Sequence, residues 1–296
     1  MKQIVECIPN FSEGKDKIII QKIADSAKEF DVKLLDTEWN ESHNRSLMTI
    51  VGSPEEVFKA SFAMIKTATQ LIDMTKHKGE HPRIGATDVV PFVPVSGVSI
   101  EECVQLSKKL GQKVATELNI PVYLYEESAQ REDRKNLADV RRGEYEGLKE
   151  EIKTNPDKKP DYGPKEFHPT AGAVVIGARK YLIAFNVNLD TKDIEIGKKI
   201  AGIVREKDGG LPGVKALGFD VDGYAQVSMN LVDYHKTNID KAFEEVKKGA
   251  EKLGVKVKNS EIYGMIPLEA LTMAVGNTIK ADGFKMDQVL EKKLYE

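Results

Sequence analysis

At 296 residues the chain is long enough for one large domain or two ordinary ones, and 41% apolar with 31% charged residues describes a soluble globular protein. A net charge of −3 supplies neither a basic field for nucleic acid nor a polybasic patch for a membrane surface. No apolar stretch approaches the roughly 20 residues of a membrane helix, and the opening residues lack the apolar core of a secretory signal. Two scattered cysteines, Cys7 and Cys103, suit buried thiols in a reducing compartment, so a cytoplasmic location is expected.

Ile4–Ile8 is a short apolar run that reads as a strand, followed by a turn-rich loop at Pro9–Gly14. Apolar residues recur at helical spacing over Ile18–Phe30. Lys33–Asp36 and Arg45–Val51 read as strands on either side of the polar Asn40–Asn44 turn. Ser53-Pro54-Glu55-Glu56 is a capping box with proline at the first helical position, and the helix it opens carries Val57, Ala60, Met64, Ile65, Ala68 and Leu71 on one face. Val89–Val93 reads as a strand. Ser99-Ile100-Glu101-Glu102 caps a further helix with Val104, Leu110, Val114 and Leu118 inward, and Pro121–Tyr125 returns as a strand.

Lys153–Pro164 is polar and proline-rich, the composition of a linker or a long ordered loop. The pattern then restarts: strand Tyr181–Leu189, helix Lys192–Arg205, and strands Val214–Val221 and Tyr224–Val232 joined by an Asp222-Gly223 hairpin turn. Thr237-Asn238-Ile239-Asp240 caps a helix with Phe243, Val246, Ala250 and Leu253 inward, and the runs Val255–Val257 and Glu261–Met265 close the unit. This β-α-β-β-α-β order is the split, ferredoxin-like arrangement, and the first half has a similar order with an added helix and strand. The expected fold class is α+β, two ferredoxin-like sandwiches, each a mixed sheet with helices on one face.

Gly79-Glu80-His81-Pro82-Arg83-Ile84-Gly85-Ala86-Thr87-Asp88 packs a proton-transfer group, an anion-binding group and a carboxylate into one loop, punctuated by Gly79, Pro82 and Gly85. An imidazole titrating near pH ~6.5 can both take up and return a proton at neutral pH. By its letters His77-Lys78-Gly79-Glu80-His81 is an H-x-x-E-H zinc string. Gly79 weakens the helix that string needs and Pro82 biases His81 away from helical angles, so no metal is expected. In the strand at Tyr224, Ala225, Val227, Met229 and Leu231 point one way and Gln226, Ser228 and Asn230 the other. Asn186 and Asn188 repeat the effect in Tyr181–Leu189. Uncharged hydrogen-bonding side chains on a sheet face suit a lined pocket.

Several motifs stand in one order: Val5-Glu6-Cys7-Ile8-Pro9-Asn10-Phe11-Ser12-Glu13-Gly14, Leu71-Ile72-Asp73-Met74, the His81 loop, Val122-Tyr123-Leu124-Tyr125 and Arg142-Gly143-Glu144-Tyr145-Glu146. Gly177–Asn186 and Pro267-Leu268-Glu269-Ala270-Leu271 follow them. Together they resemble the glutamate formimidoyltransferase family, whose domain also forms the amino-terminal part of bifunctional formimidoyltransferase-cyclodeaminases. The resemblance implies two subdomains, 1–172 and 173–296, with sheets facing each other across a substrate cleft. It implies transfer of a formimidoyl group between N-formimidoyl-L-glutamate and tetrahydrofolate in histidine degradation, with tetrahydrofolate as co-substrate, no metal and a homodimeric assembly.

His81 would shuttle the proton beside a carboxylate. Where the family has an aspartate two residues after Leu34-Leu35-Asp36, this chain has Glu38, with Asp36 and Asp88 as competing partners. The resemblance lays folate along Gly163-Pro164-Lys165-Glu166-Phe167-His168-Pro169-Thr170-Ala171-Gly172, where Phe167 offers a face for a flat ring and Lys165 a charge for a glutamate tail; His168 and Ala171 depart from the family pattern. Arg45 and Arg83 are candidate clamps for glutamate carboxylates. The competing readings are a donor based on glycine, an activity on 5-formyltetrahydrofolate, and a folate-binding relative without turnover. Preference for glutamate requires a second carboxylate contact, which the sequence does not locate.

Overall fold

The computed structural model describes residues 2–221, 223–281, 283–290 and 292, and the chain divides into two compact units, Met1–Arg179 and Lys180–Glu296. In chain order the first unit contains β1 (Ile4–Cys7), β2 (Asn10–Phe11), α1 (Lys17–Asp25), β3 (Val32–Asn40), β4 (Arg45–Gly52), α2 (Pro54–Leu71) and β5 (Thr87–Ser96). It continues with α3 (Ile100–Leu118), β6 (Val122–Glu126), α4 (Leu137–Val140), α5 (Glu144–Thr154) and β7 (Val174–Ala178). One mixed sheet runs β3, β4, the interrupted strand β1/β2, β5, β7, β6, antiparallel as far as β5 and parallel from β5 through β7 to β6. β5 and β7 read as near-continuous apolar runs because parallel central strands are covered on both faces.

Local signals explain several departures from the sequence reading. α1 ends at Asp25 rather than Phe30. The Ser26 hydroxyl donates to Ile23 O, and Ala27 and Lys28 close tight bonds to Ala24 and Asp25, which unwinds the last expected turn. The expected loop at Pro9–Gly14 contains a two-residue strand, β2, wedged between β4 and β5. Lys153 and Thr154 end α5, and residues 155–164 form an ordered loop inside the first unit. Asp161 accepts from Leu124 N at 2.7 Å and pairs with buried Arg134 at 2.6 Å, while Tyr162 O accepts from Val122 N. A division after residue 172 would assign β7 to the second unit, but its parallel pairing with β5 and β6 keeps it in the first.

The second unit contains β8 (Ile183–Leu189), α6 (Ile194–Val204), β9 (Val214–Val221), β10 (Tyr224–Leu231), α7 (Ile239–Lys252), β11 (Val257–Tyr263) and α8 (Leu268–Ile279). Its sheet order is β11-β8-β10-β9 with every pairing antiparallel, so this sheet is not mixed as expected. The crossovers carry parallel strands past an antiparallel neighbour, so β8 and β9 never touch. Asp222 of the β9–β10 turn lies outside the described residues, and Gly223 takes φ +77, which glycine adopts freely. Leu253, expected inward, is 37% exposed because α7 stops one residue earlier. Ala225, Val227, Met229 and Leu231 enter the core with Val187, Ile200 and Val246, and Gln226, Ser228 and Asn230 take the opposite face, as the strand alternation demands. Among the described residues, no helix is long and apolar enough to cross a membrane.

Candidate active site

The loop between α2 and β5 is fixed from three directions. Asn44, at the β3–β4 turn, adopts the left-handed conformation (φ 46) that asparagine tolerates. Its side chain accepts from Gly14 N at 2.9 Å and donates to Lys78 O at 3.0 Å, and its carbonyl meets His77 Nε2 at 3.0 Å. Ser12 donates to Gly85 O at 2.7 Å and its backbone N to Ala86 O, which docks the amino-terminal motif on the loop. On the far side Ala86 N donates to Ala171 O, Ala173 N to Ile84 O, and Met74 N to Thr170 O. Gly85 is required here: a Cβ would collide with the carbonyls of Ala171 and Ala173.

Asp88 closes the loop by accepting from Ile84 N at 3.0 Å and is fully buried between two guanidinium groups. Arg45 Nη1 lies 2.7 Å from its Oδ2, and Arg141 binds the same oxygen through Nη2 and Oδ1 through Nε. Arg45 also donates to Asn10 Oδ1 through Nε and Nη2. The two cations hold the Asp88 carboxyl below its usual range despite burial, and burial lowers Arg45 to about 10.

His81 sits beside this cluster, partly exposed, its ring edge-on to His43. Its Nδ1 lies 2.7 Å from Pro82 O; a carbonyl only accepts, so Nδ1 carries the proton, and Nε2, unbonded among the described residues, keeps a bare lone pair. Burial first, then the charges of Arg45 and Arg141, push the ring down to about 3, with Asp88 opposing. The imidazole is therefore neutral at pH 7 and presents an acceptor. Glu38 is half-buried in β3, opposite Leu47, which in turn faces Asn10. Directly opposed residues share a face, so Glu38 lies in one row with Asn10 across three strands. Asp36 is likewise half-buried and accepts from Thr37 N.

Arg83 takes a different place. Its guanidinium forks onto Glu146 at 2.6 and 2.8 Å, bonds Glu144 at 3.0 Å, and donates through Nε to His77 Nδ1. Both nitrogens of His77 are thereby occupied by protein partners, and the H-x-x-E-H string is not helical. Among the described residues, no group of three His, Cys, Asp or Glu is arranged to hold a metal ion. In the 163–172 stretch, Phe167 is buried with its ring 5.5 Å from Tyr145, and Ala171 and Gly172 are buried against the loop. His168 Nδ1 accepts from Ala171 N at 3.1 Å. Gly163, Lys165, Glu166 and Pro169 are exposed.

In the second unit the polar face forms rows across four strands: Asn259–Asn188–Gln226–Phe219 and Glu261–Asn186–Ser228–Leu217. Gln226 donates to Asn188 Oδ1 at 2.8 Å, and Asn188 donates to Asn259 and Glu261. Asn186 is buried and Asn230 exposed. Sequence reasoning passed over Arg141, Asn10 as an arginine partner, and Glu261. Arg141 meets Asp88 across a separation of 53 residues, which no local pattern announces.

A model described as the formiminotransferase domain, N-terminal subdomain, matches residues 4–179, and one described as the formiminotransferase domain matches residues 184–293. The chain is 46% identical to a glutamate formimidoyltransferase of Streptococcus pyogenes over 99% of both chains. It is 48% identical to one of Thermoplasma acidophilum, over 98% of this chain and 97% of that one. Against the formimidoyltransferase-cyclodeaminase of Mus musculus the identity is 46%, with 92% of this chain aligned to 51% of that protein. The chain belongs to the formiminotransferase family.

Proposed function

We propose that this protein is an enzyme transferring the formimidoyl group between N-formimidoyl-L-glutamate and tetrahydrofolate, giving 5-formimidoyltetrahydrofolate and L-glutamate, a step of histidine degradation and one-carbon metabolism. The observation that carries the chemistry is His81, with Nδ1 tied to the Pro82 carbonyl and Nε2 bare, beside the buried arginine pair. The secondary amine of tetrahydrofolate attacks the amidine carbon, forming a C–N bond; the bond to the glutamate nitrogen then breaks. The attacking nitrogen loses one proton and the departing nitrogen gains one. His81 Nε2 carries that proton between them.

A ring held near 3 is a weak base in the free enzyme. Two of its three largest depressing influences are arginine charges, and donor carboxylates settling on Arg45 screen them. Its proton affinity then rises when substrate is in place, with burial, the largest depressing cause, still acting on it. Asp88 favours the cationic ring, and Glu38 is the second carboxylate candidate, in the row of Asn10. Arg83, its fork filled by Glu144 and Glu146, serves to hold the loop.

Tetrahydrofolate is the co-substrate, and its seat is the 163–172 segment, joined to the His81 loop through Thr170 and Ala171. Gly163, Lys165, Glu166 and Pro169 are its exposed members; Phe167 is turned into the core. Within the second unit, Asn186, Asn188, Gln226, Ser228 and Asn230 are the candidate substrate-binding side chains, on the polar face of that unit's own sheet. Both units carry the β-α-β-β-α-β order that supports a ferredoxin-like reading: β1-α1-β3-β4-α2-β5 in the first, β8-α6-β9-β10-α7-β11 in the second. A cytoplasmic homodimer completes the proposal. The test is direct: purified protein with both substrates and a metal chelator should form 5-formimidoyltetrahydrofolate, and no product would refute the assignment.

A further inference from the structure

Building on the donor assignment above, we infer that Arg141 joins Arg45 in a two-pronged seat for a dicarboxylate, and that Arg141 selects a five-carbon dicarboxylate donor over a monocarboxylate one.

Arg45 and Arg141 share a single carboxylate, Asp88, and both arginine side chains are only 11% exposed. Among the described residues Asp88 is the one carboxylate bonded to either guanidinium, so two buried cations on one buried anion carry a surplus of positive charge that a ligand anion would offset. Hydrogen-bonding capacity points the same way. A guanidinium has five N–H groups. Among the described residues, Nε, Nη1 and Nη2 of Arg45 make one protein partnership each, and Arg141 uses only Nε and Nη2. Two N–H groups of Arg45 and three of Arg141 remain for a ligand.

Spacing admits this class of ligand. Both guanidiniums bind the same oxygen, so their donating nitrogens stand no more than about 6 Å apart, twice a hydrogen-bond length. A three-carbon spacer holds two carboxyl carbons about 5 Å apart at ordinary bond lengths. A one-carbon donor such as formimidoylglycine has a single carboxylate and fills one prong. The seat also borders the reacting group, because both arginines act on His81.

Arg141 is fixed in advance. It caps α4 with its N–H on Leu137 O, its carbonyl accepts from Glu144 N at 2.7 Å, and the preceding Val140 is buried in the core. A prong locked before binding loses little entropy when it is filled.

The experiment measures kcat and KM separately on the full chain, with N-formimidoylglutamate and N-formimidoylglycine as donors to tetrahydrofolate. Arg141→Gln should lower the glutamate-over-glycine ratio of kcat/KM by about 30-fold, carried by KM for the glutamate donor, as loss of a charged hydrogen-bond pair predicts. Arg141→Lys should restore part of the ratio. A ratio left intact in Arg141→Gln, or no preference in the wild type, overturns the inference. A second arm guards against a variant that does not fold: wild-type protein is titrated calorimetrically with glutarate and with butyrate. Glutarate should bind at least about 10-fold tighter, and equal binding overturns the seat. If the wild type transfers from neither donor, the functional reading falls, while the glutarate titration still decides on the seat.

Discussion

Two arginine clusters border the same loop and use the same ingredients in opposite proportions. Around Arg83 there is one guanidinium for two carboxylates, Glu144 and Glu146, whose side chains are 45% and 65% exposed. Around Asp88 there are two guanidiniums for one carboxylate, and that carboxylate is fully buried. The first cluster is saturated, its surplus charge faces water, and it behaves as a clasp between α5 and the loop. The second keeps a positive surplus and unspent donors away from water, beside a histidine with a bare nitrogen. The stoichiometry around an arginine, more than its presence, separates a clasp from a ligand seat.

Breaking the second cluster should cost the most. Asp88→Asn leaves two buried cations facing each other and should destabilise the protein by about 3–5 kcal/mol, the range for removing one partner of a buried pair. A loss under about 1 kcal/mol by urea unfolding would contradict Asp88 as the counter-charge. Arg83→Gln should cost less, about 1–2 kcal/mol, because the two glutamates it releases return to water. Donor preference should be kept, and a collapsed glutamate-over-glycine ratio in this variant would dissolve the distinction between clasp and seat.

The pH dependence of stability sharpens the contrast further. An unfolded His81 takes up a proton below about 6.5 and the folded ring only near 3, so its contribution is fully present above 6.5 and is lost as pH falls toward 3. Glu6, buried on β1 and pushed up to about 7, works the other way. The folded carboxyl holds a proton that the unfolded one releases above about 4.5, so stability falls as pH rises from 4.5 through 7. The two slopes oppose each other between pH 4.5 and 6.5. Thermal melts of Glu6→Gln should gain on the wild type as pH rises to 7, and His81→Ala should gain as pH falls. Parallel melting curves for all three proteins would remove both groups from the account.

Much of this was legible in the chain. Period-two alternation in β10 set the phase that sends Gln226 to one face and Val227 to the core, and Ser99 and Glu102 announced a reciprocal cap that α3 contains. The glycines and proline between Gly79 and Asp88 announced a loop rather than a helix, and the stretch before β5 is not helical. What escaped has a common cause, distance along the chain. β7 is five residues long and is defined by neighbours on both sides, and Arg141 acquires its meaning only when Asp88 arrives from another element. Arg83 looked equivalent to Arg45 because their carboxylate partners cannot be counted before the chain folds. Phe167, whose ring invites a stacking role, is claimed by Tyr145 instead.

The most direct test of the central claim, that His81 carries the proton during formimidoyl transfer, is a single-turnover assay following the formimidoyl carbon from N-formimidoylglutamate to tetrahydrofolate in the wild type and in His81→Ala. Transfer in the wild type with a rate about 10²–10⁴-fold lower in His81→Ala, at similar tetrahydrofolate affinity, is the predicted result. Transfer by His81→Ala at the wild-type rate would contradict it.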